Sequence, residues 1–171
     1  MKNLKNATKG FILVCLGLII LDLLFKILIN KNYEQGQYNQ ILGGLITIGN
    51  VKTISMALGF EISYKIILVI RIVIQLLFVL LFFRVQGLNV KILYKYSITL
   101  LIFGWLGNYM DRFILMSGDL NYQHLDYLRL IGFRPFMNIS TVMVSLGWIL
   151  LLIAIVTGFK EIKMIFSRSK E

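Results

Sequence analysis

Apolar stretches of helical length alternate with shorter polar segments along the whole chain. Four of them, residues 11–29, 64–83, 92–110 and 138–159, approach the roughly 20 apolar residues that an α-helix needs to cross about 30 Å of hydrocarbon. Runs this long leave no polar face for solvent. The pattern therefore predicts an all-α membrane protein, with four transmembrane helices in a single four-span membrane domain over residues 1–171. The first exterior segment, 30–63, carries Gly36, Gly43, Gly44 and Gly49 around the β-branched run Ile46-Thr47-Ile48. It predicts short strands, hence a small extracytoplasmic β-containing loop region, with 40–48 on the bilayer surface. The short connection 84–91, with Gly87-Leu88-Asn89 as its turn, makes spans two and three antiparallel neighbours. The second exterior segment, 111–137, is the polar centre of the chain, and its Pro135 stands just before the fourth span, where a helix start tolerates it.

Composition excludes a soluble domain of ordinary make-up: 58% of residues are hydrophobic, 15% are charged and the mean hydropathy is +0.80. The charges divide unevenly between the two sides. One side holds ten Lys and Arg against two Glu, and the other holds eight against six acids. Basic residues near span ends stay in the cytoplasm, so both termini are expected there. The net charge of +10 is then mostly topology, with some attraction to anionic headgroups, and calls for no nucleic-acid partner. Cys15, the only cysteine, lies within the first span, so no intramolecular disulfide is expected and the thiol reads as a packing residue. The three lysines before the first apolar run suggest a leader, but the run continues to Ile29 without a convincing small-residue cleavage site and reads as an uncleaved span. No pattern of metal ligands occurs, and no cofactor is expected.

Polar residues inside the spans carry the candidate chemistry, because an ionisable group near hydrocarbon is costly to keep. Asp22 and Lys26 are spaced i, i+4, acid first, which lets them pair on one helical face. They read either as a lock within the bundle or as a site whose lysine meets a lipid phosphate or a carboxylate. Arg71 and Gln75 repeat the spacing mid-span and should face the bundle interior, while Lys65 should snorkel. Asp111 ends the third span, with Asn108 a turn before it and Arg112 beside it; Asn138 and Thr141 occupy the first turns of the fourth span. Together these side chains make a polar pocket at the membrane surface. They also fit a plainer arrangement, in which Asp111 pairs with Arg112 or Arg134 and Asn138 and Thr141 serve as caps.

At these residues the chain resembles the lipoprotein signal peptidases (signal peptidase II), four-span aspartic peptidases that remove signal peptides from diacylglyceryl-modified prolipoproteins. Gly107-Asn108-Tyr109-Met110-Asp111-Arg112 matches the family's Gly-Asn-x-x-Asp-Arg, and Asp22 and Lys26 match its first-span Asp-x-x-x-Lys. Leu125-Asp126-Tyr127 is similar to Val-x-Asp-Phe after a long insert, and Ser55-Met56-Ala57-Leu58-Gly59 is similar to Gly-Met-Ala-Phe-Gly. Arg134-Pro135-Phe136-Met137-Asn138-Ile139-Ser140-Thr141 follows the frame of Phe-Asn-x-Ala-Asp. The resemblance implies Asp111 as one acid of a catalytic pair and puts Thr141 where the second belongs; Thr53 is the nearest match to a long-loop asparagine.

An aspartic peptidase needs two carboxyl groups sharing a proton, and threonine does not titrate near neutral pH. The resemblance therefore implies a pseudoenzyme of the bacterial inner (cytoplasmic) membrane. It would use Asn108, Arg112, Asn138, Thr141, Asp22 and Lys26 to bind lipid-modified signal peptides, lipoproteins or a membrane protein partner among the membrane lipid. The alternative is an active endopeptidase that rebuilds its pair from Asp111 and Asp126, with His124 as a weaker base. A small transporter or accessory subunit is a third class. The topology has a direct check: a reporter that functions only in the cytoplasm should be active when fused after Glu171 and silent when inserted near Gly36.

Overall fold

The computed structural model describes residues 2–54, 64–115 and 122–166. The motif at 55–59, Asp119, Asn121 and the side chains of Thr53, Lys65, Arg71 and Arg112 lie outside the described residues. Four long helices, α1 (Lys2–Asn32), α2 (Tyr64–Gly87), α3 (Ile92–Ile114) and α4 (Ile139–Thr157), are followed by a short α5 (Phe159–Phe166). Strands β1 (Tyr38–Ile41) and β2 (Ile46–Ile54) lie between α1 and α2, and β3 (Tyr122–Leu130) lies between α3 and α4. Among the described residues two helices are long and apolar enough to cross a membrane, Ala7–Asn32 and Ile139–Thr157, and α2 contains a shorter apolar stretch, Ile72–Gln86. Their outward faces are apolar too: Leu13 and Phe83 are each 69% exposed and Val156 is 80% exposed. A band of that kind is tolerable in lipid and a liability in water.

Helix α3 is the hub, packing against α4, α1 and α2. Small residues allow the approach to α4. A Cβ built on Gly104 would lie 2.8 Å from the Ser140 carbonyl oxygen and 3.0 Å from the Val144 nitrogen, and one on Gly147 would lie 2.8 Å from Leu101 Cγ. In lipid, where apolar burial gives no preference for protein over acyl chain, such close backbone packing is what holds helices together. The α3 hydroxyls that would otherwise be orphaned bond within their own helix: Ser97 donates to the Tyr94 carbonyl at 3.0 Å and Thr99 to the Lys95 carbonyl at 2.7 Å.

Apolar clusters mark the two ends of the bundle. Val85, Val90, Tyr94, Ile98, Ala154 and Ile165 pack at one end. There Gly158 ends α4, its carbonyl accepts from the Tyr94 hydroxyl at 3.0 Å, and α5 buries Ile165. At the opposite end Ile29, Leu125 and Tyr127 form a cluster beneath the sheet.

The sheet is antiparallel in the order β1-β2-β3, with Ile41 opposite Ile46, Ile46 opposite Leu130 and Val51 opposite Asp126. Strands between α1 and α2 match the reading of that segment's glycine and β-branched pattern. Strand β3 does not follow from local pattern. Its sequence, Tyr-Gln-His-Leu-Asp-Tyr-Leu-Arg-Leu, becomes a strand because β2 offers it an edge from about 75 residues earlier in the chain. Leu128 also bridges to Met137, and this ties the sheet to the start of α4. We expect Gly104→Ala to destabilise the bundle by roughly 1–3 kcal/mol, since the new methyl meets the α4 backbone as well as the Val144 side chain. Thermal unfolding in detergent would register the loss, and an unchanged midpoint would contradict the packing described.

Candidate functional site

Where α1, α3, β3 and the start of α4 converge, three ionisable side chains share one buried position. Asp22, Lys26 and Asp111 are each 0% exposed. Lys26 Nζ lies 2.6 Å from Asp22 Oδ2 and 2.9 Å from Asp111 Oδ2, and donates to Asn108 Oδ1 at 3.3 Å. Its three N–H groups thereby find three acceptors on two helices. Asp22 is saturated. Oδ1 accepts from the Tyr127 hydroxyl at 3.0 Å and the Ile139 amide at 2.9 Å, and Oδ2 also accepts from Ser140 Oγ at 2.6 Å. The Ile139 amide opens α4, so the carboxylate also sits at the positive end of that helix. Burial, then the charge of Asp22, pushes the Tyr127 hydroxyl far above its ordinary pKa, so it remains a proton donor to Asp22 across the physiological range.

Asp111 is held from one side only. Oδ2 accepts from the Leu125 amide at 3.2 Å besides meeting Lys26, whereas Oδ1 makes no hydrogen bond among the described residues. Asp111 and the knot around Asp126 are linked through the Leu125 backbone, whose amide meets Asp111 and whose carbonyl meets Asn138.

A second knot of bonds surrounds Asp126. Asn138 caps α4, its Oδ1 accepting from the Thr141 amide at 2.6 Å. The Nδ2 end of the same side chain donates to Asp126 Oδ1 at 2.8 Å and to the Leu125 carbonyl at 3.0 Å. His124 Nε2 stands 3.3 Å from Asp126 Oδ2, on the same face of β3, two residues away. Asn108 reaches across to Thr141 Oγ1 at 3.5 Å, which joins the two knots. The His124 and Asp126 side chains retain 15% and 6% of their exposure, against none for the lysine cluster.

The fold thus brings together Asp22, Lys26, Asn108, Asp111, Asp126, Asn138 and Thr141, while the Arg112 side chain lies outside the described residues. One expectation is corrected: the ion pair of Asp111 is with Lys26, not Arg134. Of the two partners expected for Lys26, a carboxylate in the site is the one the fold supplies, since Lys26 has no exposed surface and lies against Asp22 and Asp111. Sequence reasoning missed Tyr127, Ser140 and Asn50. The first two stand where the resemblance has Phe and Ala, and both added hydroxyls converge on Asp22. Asn50 is buried in β2 and donates to the Tyr33 carbonyl at 2.9 Å, which fastens the sheet to the end of α1.

A family model described as "Signal peptidase (SPase) II" matches residues 14–157, a region that takes in the whole network. The chain belongs to the signal peptidase II family. It is 30% identical over 155 residues to a "Lipoprotein signal peptidase" of Clostridium tetani (strain Massachusetts / E88), a match that covers 90% of this chain and 97% of that one. Two solved structures, each titled as a bacterial membrane enzyme determined by the in meso method, share the fold. The structure at 1.9 Å resolution aligns with a TM-score of 0.70 and 22% identity, covering 88% of this chain and 94% of that one. The structure at 2.3 Å resolution gives 0.69 and 20%, covering 95% and 94%. This member of the signal peptidase II family is accordingly a bacterial membrane protein, and the family acts on lipoprotein precursors in the membrane.

Removing Lys26 leaves two buried carboxylates facing each other. Lys26→Met should cost about 3–5 kcal/mol, as does breaking other buried ion pairs from one side. Adding Asp111→Asn should recover part of it. A double-mutant cycle by unfolding in detergent would measure the coupling, and additive losses would mean that the two groups do not support one another.

Proposed function

We propose that this chain is a signal peptidase II family member that binds lipid-modified signal peptides of prolipoproteins in the bacterial inner membrane without hydrolysing them by paired-carboxylate chemistry. The observation that carries this reading is the engagement of the acids. Asp22 and Asp111 are held by Lys26, and Asp126 meets an asparagine and a histidine, with a threonine at the far end of the Asn138 amide. An aspartic peptidase activates water with one carboxylate while a second, protonated carboxyl polarises the scissile carbonyl. Thr141 can donate a hydrogen bond but cannot hold the shared proton.

In this reading the four long helices span the membrane with both termini in the cytoplasm, and acyl chains lie against the apolar faces of α1 and α2. Asn108, Arg112, Asn138 and Thr141 take the peptide backbone or headgroup, and Asp22 and Lys26 keep the cleft in shape. Asp126 favours one competing reading. Unlike Asp111 it keeps some exposure, and it is held by His124 and Asn138, so any surviving hydrolysis would depend on Asp126 rather than on the pair Asp111 and Asp126.

Purified protein in lipid should not cleave a diacylglyceryl prolipoprotein above the protein-free control, while still binding it. Thr141→Asp should introduce cleavage, since general acid–base groups contribute roughly 100- to 10,000-fold, and Asp126→Asn should abolish that gain. Turnover by the unaltered chain that disappears on Asp126→Asn would overturn the non-catalytic reading.

A further inference from the structure

Far from the buried network, two turns of the sheet meet at its other end. One is the 3-10 turn Leu42–Gly44 between β1 and β2; the other follows β3 at Ile131 and Gly132, and the Ile131 amide donates to the Leu45 carbonyl at 2.9 Å. Large apolar side chains crowd the paired turns: Leu42 and Ile131 are each 67% exposed, Phe133 60% and Leu45 53%. Leu42 adopts a left-handed φ of 51°, which a side chain rarely does, and the glycines at 43 and 44 continue in the same region. The chain holds that turn in an unfavourable backbone state with its leucine turned out to the surroundings. No core contact explains it.

Beside these residues lies a cavity of about 600 Å³ lined by Gln40, Thr47, Arg129 and Arg134 among others, with no acidic side chain in its wall. Neither arginine makes an ion pair among the described residues. Arg129 lies over Tyr38 at 5.6 Å and Phe136 at 4.8 Å, so its faces are stacked and its N–H edge remains for an oxygen. Arg134 is exposed. Two cations over a concave, partly apolar floor, rimmed by outward leucine, isoleucine and phenylalanine, match the chemistry of an anionic phospholipid: phosphate in the cavity and acyl region under the turns. The membrane is already at hand, because Leu128 and Met137 bind the sheet to the start of α4, a helix long and apolar enough to cross it.

We propose that the paired turns 41–45 and 130–134 dock on the outer surface of the bilayer and that Arg129 and Arg134 hold the phosphate of an anionic lipid there. The contact does not depend on whether the buried site hydrolyses anything. It would anchor the sheet against lipid and fix the height of the cleft above the bilayer.

The test places an environment-sensitive fluorophore at Leu42→Cys or Phe133→Cys in a Cys15→Ser background. The full chain is reconstituted into phosphatidylcholine vesicles with or without phosphatidylglycerol. In the anionic vesicles the label should be quenched by nitroxide lipids and shielded from aqueous iodide, and less so in the neutral ones. Arg134→Gln should lower the ratio of shielded to water-exposed label roughly fivefold, from about 1 kcal/mol for each basic residue near an anionic surface. Arg129→Gln should do the same, and Arg134, being exposed and unstacked, keeps the test valid if Arg129→Gln disturbs the sheet. A label equally open to iodide in both lipids would overturn the docking. Shielding that ignores both phosphatidylglycerol and the arginine substitutions would overturn the headgroup site.

Discussion

Lys26 carries its ammonium group into a position with no exposed surface, where it meets Asp22 on its own helix and Asp111 on α3. Each of those carboxylates then reaches further. Asp22 takes the first amide of α4 and the Tyr127 hydroxyl of β3, and Asp111 takes the Leu125 amide of the same strand. One cation therefore sets the relative depth of three helices and seats the sheet on them. Ion pairs buried this deeply do little for net stability, because desolvation offsets most of the attraction, yet they penalise any arrangement that leaves one member alone. That penalty accounts for the role of the cluster as a frame.

The hydroxyls around Asp22 sharpen this picture. Tyr127 and Ser140 occupy positions where the family resemblance has Phe and Ala, and both donate to the same carboxylate. Two hydroxyls on different elements converge on one acceptor and tie β3 and α4 to α1. Thr141, one residue on, gives its amide to the Asn138 cap, and its hydroxyl oxygen accepts from Asn108, which joins the two knots.

The sheet carries the remaining distinction. Its inner side rests on Ile29, Leu125 and Tyr127, whereas its far end displays apolar residues and two arginines that make no ion pair among the described residues. A surface of that composition belongs where water gives way to headgroups. It lies on the same structure that positions Asp126.

Apolar runs of spanning length and the paired spacing of Asp22 and Lys26 were legible in the sequence, because they depend on local periodicity and on the cost of charge in lipid. The motif around Asp111 and the threonine at 141 were legible too, as chemistry that can be read one residue at a time. Three features were not: strand β3, the partner of Asp111 and the hydrogen-bond partners of Asp126. Each depends on contacts between segments far apart in the chain. A strand edge from β2 makes 122–130 extended, and a lysine from α1, 85 residues before Asp111, takes its carboxylate. Sequence alone thus determined that acids and amides stand at a membrane boundary. Only the tertiary structure decided which acid is locked inside and which one keeps some exposure, because burial and hydrogen-bond partnership belong to the packed chain rather than to any segment of it.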